Sequence, residues 1–184
     1  MFTYHTKDTA PAEAHNIIDR SQKIFGTVPN LHRILAEAPV TYDLYNYAFA
    51  QFRTSSLTST EQQIVMMAAN YENRCHYCTA GHSMMMKAEG ISASVIEALR
   101  EGLPLEDPKQ QALRVFVQDL IAKRGHVGDA ALQQFLDAGF DQRQVLEVLT
   151  GLAAKLISNY TNALAKTDLD PMIQSFAWSH PEER

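Results

Sequence analysis

The feature that most constrains this chain is the segment Ile64-Val-Met-Met-Ala-Ala69, its longest uninterrupted apolar run. Thr58-Ser-Thr-Glu61 precedes it. That order is a capping box, in which a hydroxyl at the helix start and a carboxylate three residues on satisfy each other's backbone N–H groups. The run is far short of the roughly 20 residues that cross a bilayer. A helix apolar on every face offers no side to water, so the pattern predicts a central helix wrapped by others.

Helical signals fill the rest of the chain. A first helix is expected from about Pro11 to Phe25, stopped by Gly26, and a short one from Pro29-Asn30 to before Pro39. Val40 to Thr54 carries Tyr42, Leu44, Tyr45, Ala48, Phe49 and Phe52 at helical spacing. Beyond the central helix, Cys75 to Ala88 is expected to be helical, and Ser92 caps a short helix through Arg100. Asp107-Pro108 opens another to about Lys123, and Ala130 to Asp137 forms the next. A second capping box, Asp141 to Gln144, starts the longest helix, which carries Val145, Leu149, Leu152, Leu156 and Tyr160 as an apolar stripe. The tail after Asp168 reads as extended and pinned by Phe176 and Trp178.

These signals give an all-α fold of about eight to nine helices in a single domain, 1–184. Its N-terminal helices span 11–54, its core 57–124, and its C-terminal helices and tail 129–184. The 184 residues are 46% hydrophobic and 20% charged with net charge −5, which suits one folded core and gives no basic stripe for nucleic acid or an anionic membrane. The first residues lack the layout of a secretory signal, so the expected compartment is the cytoplasm. There a close cysteine pair points to catalysis or metal binding more than to a structural staple.

The chain has two cysteines, in Cys75-His-Tyr-Cys78, with His82 four residues on. On a helix that spacing puts two thiols and an imidazole on one face. An ordinary thiol of pKa ~8.5 is only about 3% thiolate at pH 7, whereas one near ~6.5 is about three-quarters thiolate. A helix N-terminus and a neighbouring imidazolium both favour the thiolate. A thiolate that attacks a peroxide becomes a sulfenic acid, and a second thiol within reach closes it as a disulfide. Half of a zinc site on Cys75, Cys78 and His82 is an alternative, although no second ligand pair supplies a fourth position. Two inert buried thiols are another, and a degenerate site that kept its cysteines but lost turnover is a third.

The block from Leu57 to His82 resembles the core of the AhpD-like (alkylhydroperoxidase, carboxymuconolactone decarboxylase-like) family. The late segment Leu156-Ile-Ser-Asn159-Tyr160-Thr-Asn162 to Asp170-Pro resembles the C-terminal part of its peroxidase-related branch. The resemblance spans about residues 20–176. It implies an AhpD-like helical bundle that forms a trimer or hexamer and reduces alkyl hydroperoxides or hydrogen peroxide as an antioxidant. It implies a redox-active disulfide Cys75–Cys78 with Cys78 attacking and Cys75 resolving, and His82 in a proton relay. No bound cofactor or metal is expected. An external dithiol would be the reductant, carried by a lipoyl-bearing or thioredoxin-like protein. One departure stands out. The family relay has a glutamate twelve positions before the first cysteine, where this chain has Gln63. Glu72 is the expected substitute, with Glu61 second. Tyr77 is a candidate substrate contact or a packing aromatic, and Met84 to Met86 could line an apolar pocket or fill core. A thiol-disulfide oxidoreductase or redox sensor, a carboxymuconolactone decarboxylase-like lyase and a non-enzymatic binding protein are the competing functions.

Overall fold

The computed structural model describes residues 2–184. Nine α-helices follow one another: α1 His15–Phe25, α2 Asn30–Leu35, α3 Pro39–Phe52, α4 Ser59–Glu72, α5 His76–Ala88, α6 Ala93–Glu101, α7 Pro108–Ala122, α8 Gly128–Asp137 and α9 Gln142–Ala165. Short 3-10 turns occupy Ala12–Ala14, Pro171–Phe176 and Pro181–Glu183. No strand occurs among the described residues.

Helix α4 is the axis of the fold. Every residue from Glu61 to Asn70 is buried, as its all-round apolar pattern requires. Its capping box forms, with the Thr58 N–H donating to Glu61 at 2.8 Å and the Glu61 N–H to Thr58 at 3.2 Å. Helices α5, α7 and α9 pack around it. One core cluster joins α4 to Leu113, Phe116 and Val117 of α7 and to Phe135 and Phe140, whose rings stack on each other with centroids 4.4 Å apart. A second cluster joins Ile17, Leu31, Leu35 and Tyr42 of the N-terminal helices to Tyr77, both cysteines and Ile173. The cysteine pair therefore sits inside a packed core, roofed by the N-terminal helices and the turn Pro171–Phe176.

Four local expectations are modified. The first helix begins with a 3-10 turn before His15, α8 begins at Gly128, and the tail is wound into two 3-10 turns rather than extended. Cys75 lies one residue outside α5 as its N-cap. Arg74, at φ 50°, turns the chain sharply between α4 and α5 and places it there.

Helix α9 differs more. Leu149, Leu156 and Tyr160 of the apolar stripe are exposed, as is Leu164 beside it, while Val148, Gly151, Ala154, Lys155, Ser158, Asn159 and Asn162 face inward. Helical periodicity defines faces without saying which one turns inward. Here close approach decides: a Cβ on Gly151 would stand 2.9 Å from the Phe52 ring and 3.1 Å from Val65. The small residue lets α9 close onto α3 and α4. A Gly151→Ala variant is therefore expected to lose about 1 kcal/mol in urea unfolding, because overpacking costs ~1–3 kcal/mol against a helix-propensity gain of ~1 kcal/mol. Gly81→Ala, whose Cβ meets nothing within 4 Å, is expected to gain stability in the same measurement.

Candidate active site

Cys78 lies in the first turn of α5 and is 5% exposed; Cys75, its N-cap, is 4% exposed. Both are free thiols. The Cys78 N–H donates to the Cys75 sulfur at 3.4 Å, so the cap itself draws the two residues together. Asn162 of α9 donates its side-chain N–H to the Cys78 sulfur at 3.2 Å. Burial opposes ionisation of Cys78, but the Cys75 thiol, the Lys155 charge, Asn162 and Asn159 outweigh it and hold its pKa well below that of an ordinary thiol. The Cys75 thiol is pushed up, first by its hydrogen bond to the Cys78 sulfur and then by burial. The division of labour implied by the resemblance, with Cys78 as nucleophile and Cys75 as its protonated partner, thus has a local electrostatic cause.

A polar chain stands behind this pair. The Gln63 side-chain N–H₂ donates to the Glu89 carboxylate at 3.1 and 3.2 Å. That contact fixes the amide so that its oxygen faces His82 Nδ1 at 2.9 Å. His82 must then carry its proton on Nδ1 and leave Nε2 as an acceptor. Lys155 Nζ lies 3.3 Å from that nitrogen and donates to it. Burial, followed by the Lys155 and Arg53 charges, holds the His82 pKa well below its usual value, in keeping with a neutral ring. Arg53 closes the outer end, 3.1 Å from Glu89.

The expected site residues are partly brought together. Cys75, Cys78, His82 and Gln63 converge. Glu72 does not: its carboxylate accepts from Gln118 of α7 at 2.6 Å, because the last turn of α4 points it at α7. Glu61 stays in the capping box and pairs with Lys109 at 3.0 Å. The carboxylate in the chain is instead Glu89, reached through Gln63. Tyr77 is buried in the chain itself, its hydroxyl donating to Asp170 and accepting from the Leu31 N–H at 3.4 Å. Its partners fasten α5 to the turn at Pro171 and to α2, which is a roof contact. His76 faces outward onto Glu183. Among the described residues no three His, Cys, Asp or Glu side chains are grouped to hold a metal ion.

Lys155 and Glu89 were missed from sequence. Lys155 interrupts the apolar run Leu152-Ala-Ala-Lys155-Leu-Ile and was legible as an intruder; Glu89, just before Gly90, looks like an ordinary helix-end residue. Cys78, His82 and Lys155 line a cavity of about 360 Å³, walled by Phe25, Tyr45 and Phe49 on one side and by Met84, Met85 and Met172 on the other. Met86 is instead fully buried core. Among the described residues no helix is long and apolar enough to cross a membrane.

Two measurements follow. Lys155→Met and Asn162→Ala are each expected to move the thiolate absorbance titration of Cys78 upward, since each removes stabilisation from the anion only. Buried His32, lowered by desolvation to about 4, makes folding sensitive to acid. Below about pH 6.5 the unfolded chain binds a proton there that the folded chain does not, so stability falls as pH drops towards 4, by up to ~1.4 kcal/mol per unit. His82 acts in the same sense. Urea midpoints at pH 7 and pH 5 test this.

Residues 39–119 match the carboxymuconolactone decarboxylase family. Among curated proteins no relative matches in sequence. Among solved structures, a peroxidase-related protein from Ralstonia eutropha JMP134, described as an alkylhydroperoxidase AhpD core, superposes with TM-score 0.83 at 18% identity, covering 94% of this chain and 93% of that one. A peroxidase-related protein from Silicibacter sp. TM1040 superposes with TM-score 0.74 at 16% identity, covering 88% and 86%. The debrominase Bmp8 superposes with TM-score 0.79 at 13% identity, covering 96% and 95%. These likenesses establish an AhpD-like all-α fold over nearly the whole chain, within which residues 39–119 carry the likeness to the carboxymuconolactone decarboxylase family.

Proposed function

We propose that the protein is a thiol-dependent peroxidase that reduces organic hydroperoxides at Cys78. The observation that carries this reading is the Cys78 sulfur at the wall of an apolar cavity, with Cys75, Asn162 and Lys155 all favouring its thiolate. The thiolate attacks the distal peroxide oxygen. The O–O bond breaks, Cys78 becomes a sulfenic acid, and the departing alkoxide takes a proton to leave as the alcohol. Lys155, held in the cavity by His82, is placed to supply that proton. Cys75 then attacks the Cys78 sulfur, water leaves, and the pair closes as a disulfide that an external thiol reduces. Gln63 cannot pass a proton, so its part is to orient His82. The proton is restored to Lys155 from solvent through the cavity.

A second reading is reductive dehalogenation, the chemistry named for the debrominase neighbour. The aromatic walls of the cavity favour it, since a hydroperoxide group alone needs far less room. The same two thiols would supply both electrons, releasing halide, the reduced arene and a disulfide. A protein disulfide as substrate is disfavoured by the near-complete burial of both sulfurs.

This reading includes a homo-oligomer. Val40, Leu44 and Tyr47 of α3 and Leu149, Leu156, Tyr160 and Leu164 of α9 leave a run of exposed apolar side chains on two helices that pack together. Such a patch suits a subunit interface, which sedimentation of the purified chain tests directly.

Cumene hydroperoxide turnover with an excess of dithiol is the deciding assay. Native protein is expected to turn over and to lose two thiols per chain on oxidation. Cys78→Ser is expected to be inactive, and Cys75→Ser to react once and stall as an oxidised monothiol. Lys155→Met is expected to lose about 10²-fold in rate, the usual scale for losing a positioned proton donor. Glu72→Gln is expected to match native protein. Inert thiols, or full activity without Cys78, would remove the proposal.

A further inference from the structure

The two cysteines line different pockets. Cys78 lines the apolar cavity; Cys75 lines a second hollow of about 400 Å³ between the start of α5, the end of α9 and the C-terminal turn. The two linings share only Tyr77. The first cavity sets Arg53, Glu89, Lys155 and Asp170 among many aromatic and aliphatic side chains, whereas the second hollow has few apolar residues. Arg74, His76 and Lys166 bring positive or protonatable groups to it and Glu183 brings one carboxylate. The tail already engages two of them, Arg74 with Glu182 and His76 with Glu183 at 2.7 Å. Among the described residues Lys166 has no carboxylate within ion-pair distance.

An independent observation points to a ligand. Asn162 is 5% exposed, and while its N–H₂ serves the Cys78 sulfur, its buried side-chain oxygen has no partner. The Thr167 hydroxyl, in the same lining, is also buried and unpartnered. Unsatisfied buried groups are uncommon in native folds and mark places where something else bonds. Here residues with an unpartnered amide oxygen, an unpartnered hydroxyl and a cation line the same hollow as Cys75.

The geometry points to this hollow as the docking site of the reductant, a small carboxylate-bearing peptide thiol that reaches Cys75 while organic substrate reaches Cys78 from the other cavity. The inference rests on the thiol chemistry proposed above and names the reductant class for it. A peptide N–H would meet the Asn162 oxygen, a carboxylate would meet Lys166, and the thiol would face Cys75. This chemistry suits such a molecule better than the aliphatic arm of a lipoyl group, which has nothing to offer charged walls. The electrons balance as follows. The incoming thiolate attacks the Cys75 sulfur, the Cys75–Cys78 bond breaks, and Cys78 departs as a thiolate, leaving a mixed disulfide on Cys75. A second molecule of the thiol attacks the outer sulfur of that bond. The products are the oxidised dimer of the thiol and both cysteines reduced.

The test starts from whole protein oxidised chemically to the Cys75–Cys78 disulfide, so it does not depend on peroxide turnover. Reduction is followed by thiol release with glutathione, glutathione diethyl ester, dihydrolipoamide and thioredoxin as separate reductants, with rates compared per thiolate. Glutathione is expected to exceed its ester by about tenfold at low salt, the low end for electrostatic steering into a charged cleft. Lys166→Gln is expected to remove that advantage. In the Cys78→Ser variant, oxidised glutathione is expected to leave a mixed disulfide on Cys75, read by peptide mass spectrometry. Equal rates for glutathione and its ester, reduction by dihydrolipoamide or thioredoxin alone, or an advantage that survives Lys166→Gln would overturn the pocket assignment and leave the peroxidase reading standing. If the disulfide does not form at all, both fall together.

Discussion

The site depends on a buried lysine whose charge favours the thiolate form of a buried cysteine. Lys155 is 3% exposed and Cys78 5%. Either charge alone in that core would be costly to keep away from water. Together they make each other tolerable, and the remaining donors are arranged to keep the pair in register. Glu89 sets the Gln63 amide, the amide sets the His82 proton, and His82 holds the Lys155 nitrogen. The direction of every hydrogen bond along this chain is fixed by the carboxylate at its outer end. A glutamine in place of a glutamate therefore leaves the relay continuous as a positioning device while ending its use as a proton wire.

Packing supplies the rest of the frame. The all-buried α4 fixes the axis, and Gly151 lets α9 approach closely enough to present Lys155, Asn159 and Asn162 on its inward side. The N-terminal helices and the turn Pro171–Phe176 then cover the pair, with Tyr77 tying that roof to the start of α5 through Asp170 and the Leu31 N–H. Enclosure and electrostatics thus come from the same elements.

Much of this was legible in the sequence because it rests on local rules. Capping boxes at Thr58 and Asp141, the Asp107-Pro108 start and the glycine stops placed nearly all helices, and the all-round apolar run placed the central one. The pair Cys75 and Cys78 with His82 was legible for the same reason, as a short-range spacing. The inward face of α9 was not legible, since its outward face is the more apolar of the two and a monomer's sequence does not say which apolar face meets solvent. Glu89 was invisible for another reason: it acts through Gln63, across helices, and no spacing rule links residues 26 positions apart. Glu72 looked better placed because it is near the cysteines along the chain, yet the end of α4 turns it towards Gln118.

Cys75 has a second duty as the N-cap of α5, with its sulfur accepting the Cys78 N–H. In the thiol chemistry proposed above, a disulfide that drew the sulfur away from the Cys78 N–H would cost the helix its cap. Capping interactions are worth about 0.5–2 kcal/mol, and a sulfur acceptor belongs at the weak end of that range. For a two-electron couple 1.4 kcal/mol corresponds to about 30 mV. The helix start therefore biases the couple towards the dithiol by something on the order of 10 mV. The midpoint potential of the proposed couple would then be in part a property of how well α5 begins.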